Sequence, residues 1–125
     1  MLGWRHDWFP AFYTRSSGLR VPHRIESARE VAAVLGHRVR PGTGVLVAVP
    51  IPEDDELDPE ALDAAVHEAL AEASDAGMTG PEVTPFVLAR IAGATEGRSV
   101  PANLALAEHN AGVAAEIAVA VASGS

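Results

Sequence analysis

The 125-residue chain has no lysine, and all nine of its basic residues are arginine. No side chain can therefore form a Schiff base with a carbonyl substrate. Cysteine is also absent. That excludes disulfides, thiolate nucleophiles and cysteine-ligated zinc, and makes the cytoplasm the expected location. Residues 1–8 lack the apolar run a signal peptide needs. The longest apolar stretch, residues 111–122, is interrupted by Glu116 and is too short to span a bilayer, so no membrane partner is expected. A net charge of −8 argues against nucleic acid as a partner.

With 48% apolar residues, the chain has the composition of one globular domain with a core of its own. Charge is unevenly spread. Residues 1–50 hold seven arginines and three acids, whereas residues 51–125 hold two arginines and fourteen acids. This describes either a basic sheet-and-loop half beside acidic solvated helices, or arginines such as Arg15, Arg20 and Arg24 facing an anionic ligand.

Residues 8–14 are aromatic and β-prone, with Pro10 suited to an edge or a strand entry. A turn at 15–18 and an extended piece over 19–25 lead to Ser27. With Glu30 three residues on, Ser27 predicts a capping box for a helix over 28–35, stopped by Gly36. The apolar run 45–49 predicts a strand buried on both faces. Asp58 and Pro59 open a helix that ends near Ala76, before Gly77. Further helices are predicted over 82–92 and from about Ser99 to Ala122. The fold class expected is α/β, with two or three strands and about four helices. So small a sheet, with so apolar a strand and so alanine-rich a last helix, reads as one partial domain spanning 1–125.

The acids of 53–58 lack EF-hand spacing and suit a helix start. The five histidines show no ligand spacing, so no metal site is predicted. Asn103 and Asn110 are seven residues apart, about 700° around a helix, and share one face with Ser99 close to the same stripe. Asparagine is a poor helix former. The pair is either bonded to nearby backbone and water or forms a polar ledge in a ligand site, where the helix N-terminus also favours phosphate. Glu82 and Thr84 either cap the next helix or approach a ligand.

Four stretches, in order, resemble one family. Residues 9–18 (F-P-A-F-Y-T-R-S-S-G) resemble its F-P-A-F-[YF]-x-R-x-S-G segment. Residues 45–52 (V-L-V-A-V-P-I-P) resemble its G-V-L-V-A-N-P-I-P strand and loop, with Val49 in place of asparagine. Residues 82–88 (E-V-T-P-F-V-L) match E-V-T-P-F-[LV]-L, and residues 97–106 (G-R-S-V-P-A-N-L-A-L) match G-[RK]-S-L-x-A-N-[IL]-A-L. The chain is identified as a member of the pseudouridine-5'-phosphate glycosidases, also known as the indigoidine synthase A family. The resemblance runs from about Gly3 and covers somewhat under half of a full-length enzyme, its C-terminal part. Residues 4–6 depart from the expected pattern, consistent with an opportunistic start at Met1.

The resemblance implies the C-terminal part of a three-layer α/β/α fold. It also implies reversible cleavage of pseudouridine 5'-phosphate to uracil and ribose 5-phosphate through an opened ribose held on lysine, with an acid moving protons and an aspartate-bound manganese ion assisting. The lysine, acid and manganese ligands belong to the part of the family chain preceding this one. Among the residues present it implies Asn103 as the active-site group, with Asn110, Ser99, Thr84 and Arg15 as substrate neighbours, and a homotrimer for the full-length enzyme. Three roles stay open: an enzyme fragment inactive alone, a non-catalytic subunit completing a separately encoded N-terminal half, or a remnant.

Overall fold

The computed structural model describes residues 1–37 and 40–124. Its centre is a three-stranded parallel sheet of β1 (Leu2–Trp4), β2 (His23–Ile25) and β3 (Val47–Ala48), in the order β2-β1-β3. Leu2 and Trp4 pair with His23 and Ile25 on one side, and Leu2 pairs with Val47 on the other. Gly3 is obligatory here: a Cβ would lie 2.6 Å from both the His6 carbonyl and the Val21 side chain.

The described residues also form four α-helices: α1 (Ala28–Gly36), α2 (Pro59–Asp75), α3 (Val83–Ala94) and α4 (Ser99–Ala122). At the start of α1 the Ser27 hydroxyl accepts from Glu30 N–H, and the Glu30 carboxylate accepts from Ser27 N–H at 3.0 Å, as the sequence predicts. Gly36 does not end α1. The helix runs through it and is closed by His37, whose Nδ1 donates to the Ala33 carbonyl at 2.7 Å. α2 begins with Asp58 as cap and Pro59 in its first turn. It ends in a Schellman turn: Gly77 at φ 71° donates to Ser74, and Met78 donates to Ala73.

Two cores result. One joins Leu2, Trp4 and Ile25 of the sheet to Val31 of α1 and Val113 of α4. The other gathers Tyr13, Ile51, Leu62 of α2, Ile91 of α3 and Ala102 of α4. Only α4 contributes to both, so it ties them together. By length and composition alone α4 could cross a membrane, but its Ser99, Ala102 and Val113 are packed into these cores.

Two strand expectations fail. Residues 8–14 are not a strand: Ala11 and Thr14 bond to each other across a tight turn with Phe12 at φ 62°, and Trp8 bridges only to Arg20. The run 45–49 forms a strand only at Val47–Ala48, and its coverage is partial: Val45, Val47 and Val49 pack on the first core and Ala48 is buried on the opposite face, while Leu46 beside it is 60% exposed.

Candidate functional site

The four motif segments meet around Tyr13. Its ring sits in the second core with Ile51 from the second segment, Val87 and Leu88 from the third, and Ala102 and Leu106 from the fourth. Burial pushes the Tyr13 phenol above its ordinary pKa, while the hydrogen bond from the Ser99 side chain pulls more weakly the other way. Ser99 is 2% exposed. Its N–H donates to the Thr95 hydroxyl at 3.2 Å, and that hydroxyl donates to the Ile91 carbonyl at 2.8 Å. The Thr95 hydroxyl, accepting from Ser99 N–H and donating to the Ile91 carbonyl, thus ties the start of α4 to the end of α3. Among the described residues no buried side-chain polar atom lacks a partner.

The junction between α3 and α4 is strained. Glu96 N–H donates to Gly93 and Gly97 N–H to Ala92, which makes a second Schellman turn with Glu96, at φ 55°, in the position glycine usually fills. Such a placement costs roughly 1–2 kcal/mol. Phe12, directly before Tyr13, carries the same kind of strain. Strain at Phe12 and at Glu96 marks a region whose geometry is held by its surroundings.

Arg15 is half-buried, and its guanidinium donates to the Ile51 carbonyl at 2.6 Å. Its N–H donates to the Glu56 carboxylate at 3.1 Å, and its carbonyl accepts from Nε2 of His6 at 2.8 Å. Arg15 therefore clamps the first motif segment to the second. Asn103 is exposed on α4, one turn beyond Ser99, and Thr84 is exposed in the first turn of α3, on the stripe of Val87 and Leu88. Asn110 stands apart from these groups, lining a groove with Val47 and Val49 of β3.

The first turn of α4 does not offer the phosphate seat that its dipole suggests. Ser99 and Val100 donate to Thr95 and Gly97, Pro101 has no N–H, and Ala102 donates to Arg98. Arg20 and Arg24 are engaged within the chain too. Arg24 pairs with Glu26 at 2.5 Å and Asp7 at 3.1 Å, and Arg20 lies over the Trp8 ring at 4.9 Å. A cleft of about 320 Å³ beside Thr95 is lined by Asp54, Asp55, Glu56 and Asp58 along with Arg98, an acidic setting unsuited to an anion. A second groove, of about 580 Å³, runs between Phe12, Thr14, Ser16 and Ser17 of the first segment and the start of α2. Among the described residues no three His, Asp or Glu side chains are placed to hold a metal ion.

Sequence reasoning missed Tyr13 and Thr95. The available signals were a lone tyrosine inside the first motif and a threonine one helical turn before Ser99.

Comparison with known proteins agrees with this convergence. The family model described as indigoidine synthase A like protein matches residues 1–120. A pseudouridine-5'-phosphate glycosidase of Sorangium cellulosum is 49% identical over 97% of this chain and 38% of its own length. One from Symbiobacterium thermophilum is 44% identical over 99% of this chain and 41% of its own. Among solved structures, the prealnumycin C-glycosynthase AlnA in complex with ribulose 5-phosphate aligns with a TM-score of 0.84 at 32% identity, covering 98% of this chain and 41% of that one. An indigoidine synthase A-like protein of Thermotoga maritima aligns with a TM-score of 0.78 at 37% identity, covering 94% and 39%. The chain thus spans about 40% of the length of these relatives, and corresponds to their C-terminal part. With one family model matching almost every residue, the chain belongs to the indigoidine synthase A-like family.

Proposed function

We propose that this chain forms the substrate-orienting wall of a pseudouridine-5'-phosphate glycosidase site, and that the covalent chemistry is done by a lysine outside its 125 residues. The observation that carries this reading is the convergence of the four motif segments on one core, with Asn103 exposed on the helix that enters it, in a chain with a complete lack of lysine. Relatives of the same name support the substrate class.

The reaction splits a carbon–carbon bond to give uracil and ribose 5-phosphate. Protonating a leaving heteroatom, the usual route of glycoside hydrolysis, is not enough for that bond. An iminium between the opened ribose and a lysine supplies the electron sink. The share of this chain is orientation. The Asn103 amide both donates and accepts, matching the neighbouring carbonyl and N–H groups of a uracil ring, and the Thr95 hydroxyl, bonded to Ser99 N–H, fixes the helix turn that presents it. Thr84 and Asn110 are proposed to line the same substrate. Arg15 and Ser99 are positioning residues, since each is already bonded within the chain. Manganese, if used, takes its ligands from the remainder of the enzyme, because the described residues provide no cluster for it. A cytoplasmic homotrimer is the proposed working form.

The test is uracil release from pseudouridine 5'-phosphate. The purified chain is expected to give none, whereas co-expression with the N-terminal three-fifths of the Sorangium cellulosum relative is expected to restore turnover. In that assembly Asn103→Ala should lower kcat/KM by at least about tenfold, as loss of an orienting hydrogen bond does. Turnover by the pure chain would overturn the reading. Restored turnover also separates the enzyme part from a remnant.

A further inference from the structure

β3 and the flank of α4 form a groove that none of the described residues fills. It measures about 200 Å³ and is lined by Val47, Val49, Asn110, Val113, Ala114 and Ile117, so Asn110 is its one polar group. In the order β2-β1-β3, β3 has β1 as its only neighbour among the described residues. The Leu46 carbonyl accepts from Leu2 N–H at 2.8 Å, which turns the Leu46 amide groups toward β1. Amide groups alternate sides along a strand, so the N–H and carbonyl of Val47 point away from β1, to the open edge.

Parallel strands this apolar belong to sheets that continue on both sides under covering helices. Here one cover, α4, is already in place over an empty strand position. We infer that this groove is a docking site for one further β-strand, which adds to β3 by main-chain pairing and packs its side chains beneath α4. The occupant is a strand from the N-terminal three-fifths of the family fold. The relatives carry that much more chain, and this chain corresponds to their C-terminal part. The inference rests on the reading that the chain works together with that remainder.

The experiment is co-expression of the 125-residue chain with the tagged N-terminal three-fifths of the Sorangium cellulosum relative, followed by co-purification, light scattering and amide hydrogen exchange. A 1:1 complex is expected in which the Val47 amide, exchanging freely in the chain alone, becomes protected. Ala114→Arg, an exposed position in the free chain, should weaken the complex at least about tenfold by placing an unpaired charge under the incoming strand. Leu70→Gln, on the far surface of α2, should leave it unchanged. No complex, a complex indifferent to Ala114→Arg with Val47 still exchanging, or a homodimer of the chain that occupies the groove and excludes the other polypeptide would each overturn the assignment. Uracil release separates the two ideas. A complex with a protected Val47 but no turnover refutes the glycosidase reading and leaves the docking site standing. Turnover from a complex with an unprotected Val47 does the reverse.

Discussion

The region around Tyr13 and the outer surface of α4 use the same kinds of residue to opposite effect. Around Tyr13, loop, helix and motif segments close on one another, the polar groups are paired, and strain is held at Phe12 and Glu96. Along α4, Val100, Leu104 and Val119 point outward, with Leu104 63% and Val119 67% exposed. The first region is finished by this chain alone. The second is as apolar as a core, and the alanines between these residues leave it few polar groups to present to water. The contrast separates what the chain stabilises for itself from what it presents to something else.

The largest effect should come from the finished side. Ile51 is 1% exposed, joins the second core, and lends its carbonyl to Arg15. Ile51→Ala should cost about 2–5 kcal/mol by leaving a cavity under Tyr13, measured by urea unfolding. A loss below about 0.5 kcal/mol, the level of an ordinary surface change, would mean that this region is as open as α4. Thr95 comes next. Thr95→Val keeps the shape but removes the acceptor of the buried Ser99 N–H, and should cost about 1–3 kcal/mol. Thr95→Ser, which restores the hydroxyl, should recover most of it.

A smaller effect appears at alkaline pH. Burial raises the Tyr13 phenol above its usual value of about 10. Above that usual value the unfolded chain loses the proton while the folded chain keeps it. Unfolding then releases a proton, and stability falls as pH rises from the unfolded pKa through the folded one. The contribution is fully present at neutral pH. Tyr13 is the only tyrosine, so phenolate absorbance reports it alone and should titrate later in the folded than in the urea-unfolded chain. A coincident titration would show that the ring is not enclosed.

Much of the helical framework was legible, because its signals are local. Ser27 with Glu30, Asp58 with Pro59, and Gly77 each satisfy nearby backbone groups, and all three act as read. Gly36 misled because His37 caps the helix with its own ring, a bond that composition does not announce. Residues 8–14 misled because β-propensity needs a pairing partner, and the turn at Phe12 removes it. β1 was overlooked because three residues cannot display a period, and its place is set by Gly3 fitting against Val21. At the site, spacing placed Asn103 and Asn110 on one helix face. It could not show that Asn110 lines a groove with β3 while Ala102 packs with Tyr13, because those neighbours are far off in sequence.

The smallest expected effect tests the other side of the contrast. Leu104 lies on α4 between Asn103 and the half-buried Leu106, with its side chain in water. Leu104→Gln keeps a good helix former, adds no charge and leaves the chain free of lysine. Its stability in urea should stay within about 0.5 kcal/mol of the parent, while sedimentation should show less self-association because one exposed apolar group is gone. In the co-expressed assembly the same substitution should be felt if the outer face of α4 is covered there, since burying an amide without a partner costs about 1–3 kcal/mol. A clear loss of stability in the isolated chain would mean that Leu104 already packs within it, and α4 would then belong with the finished region.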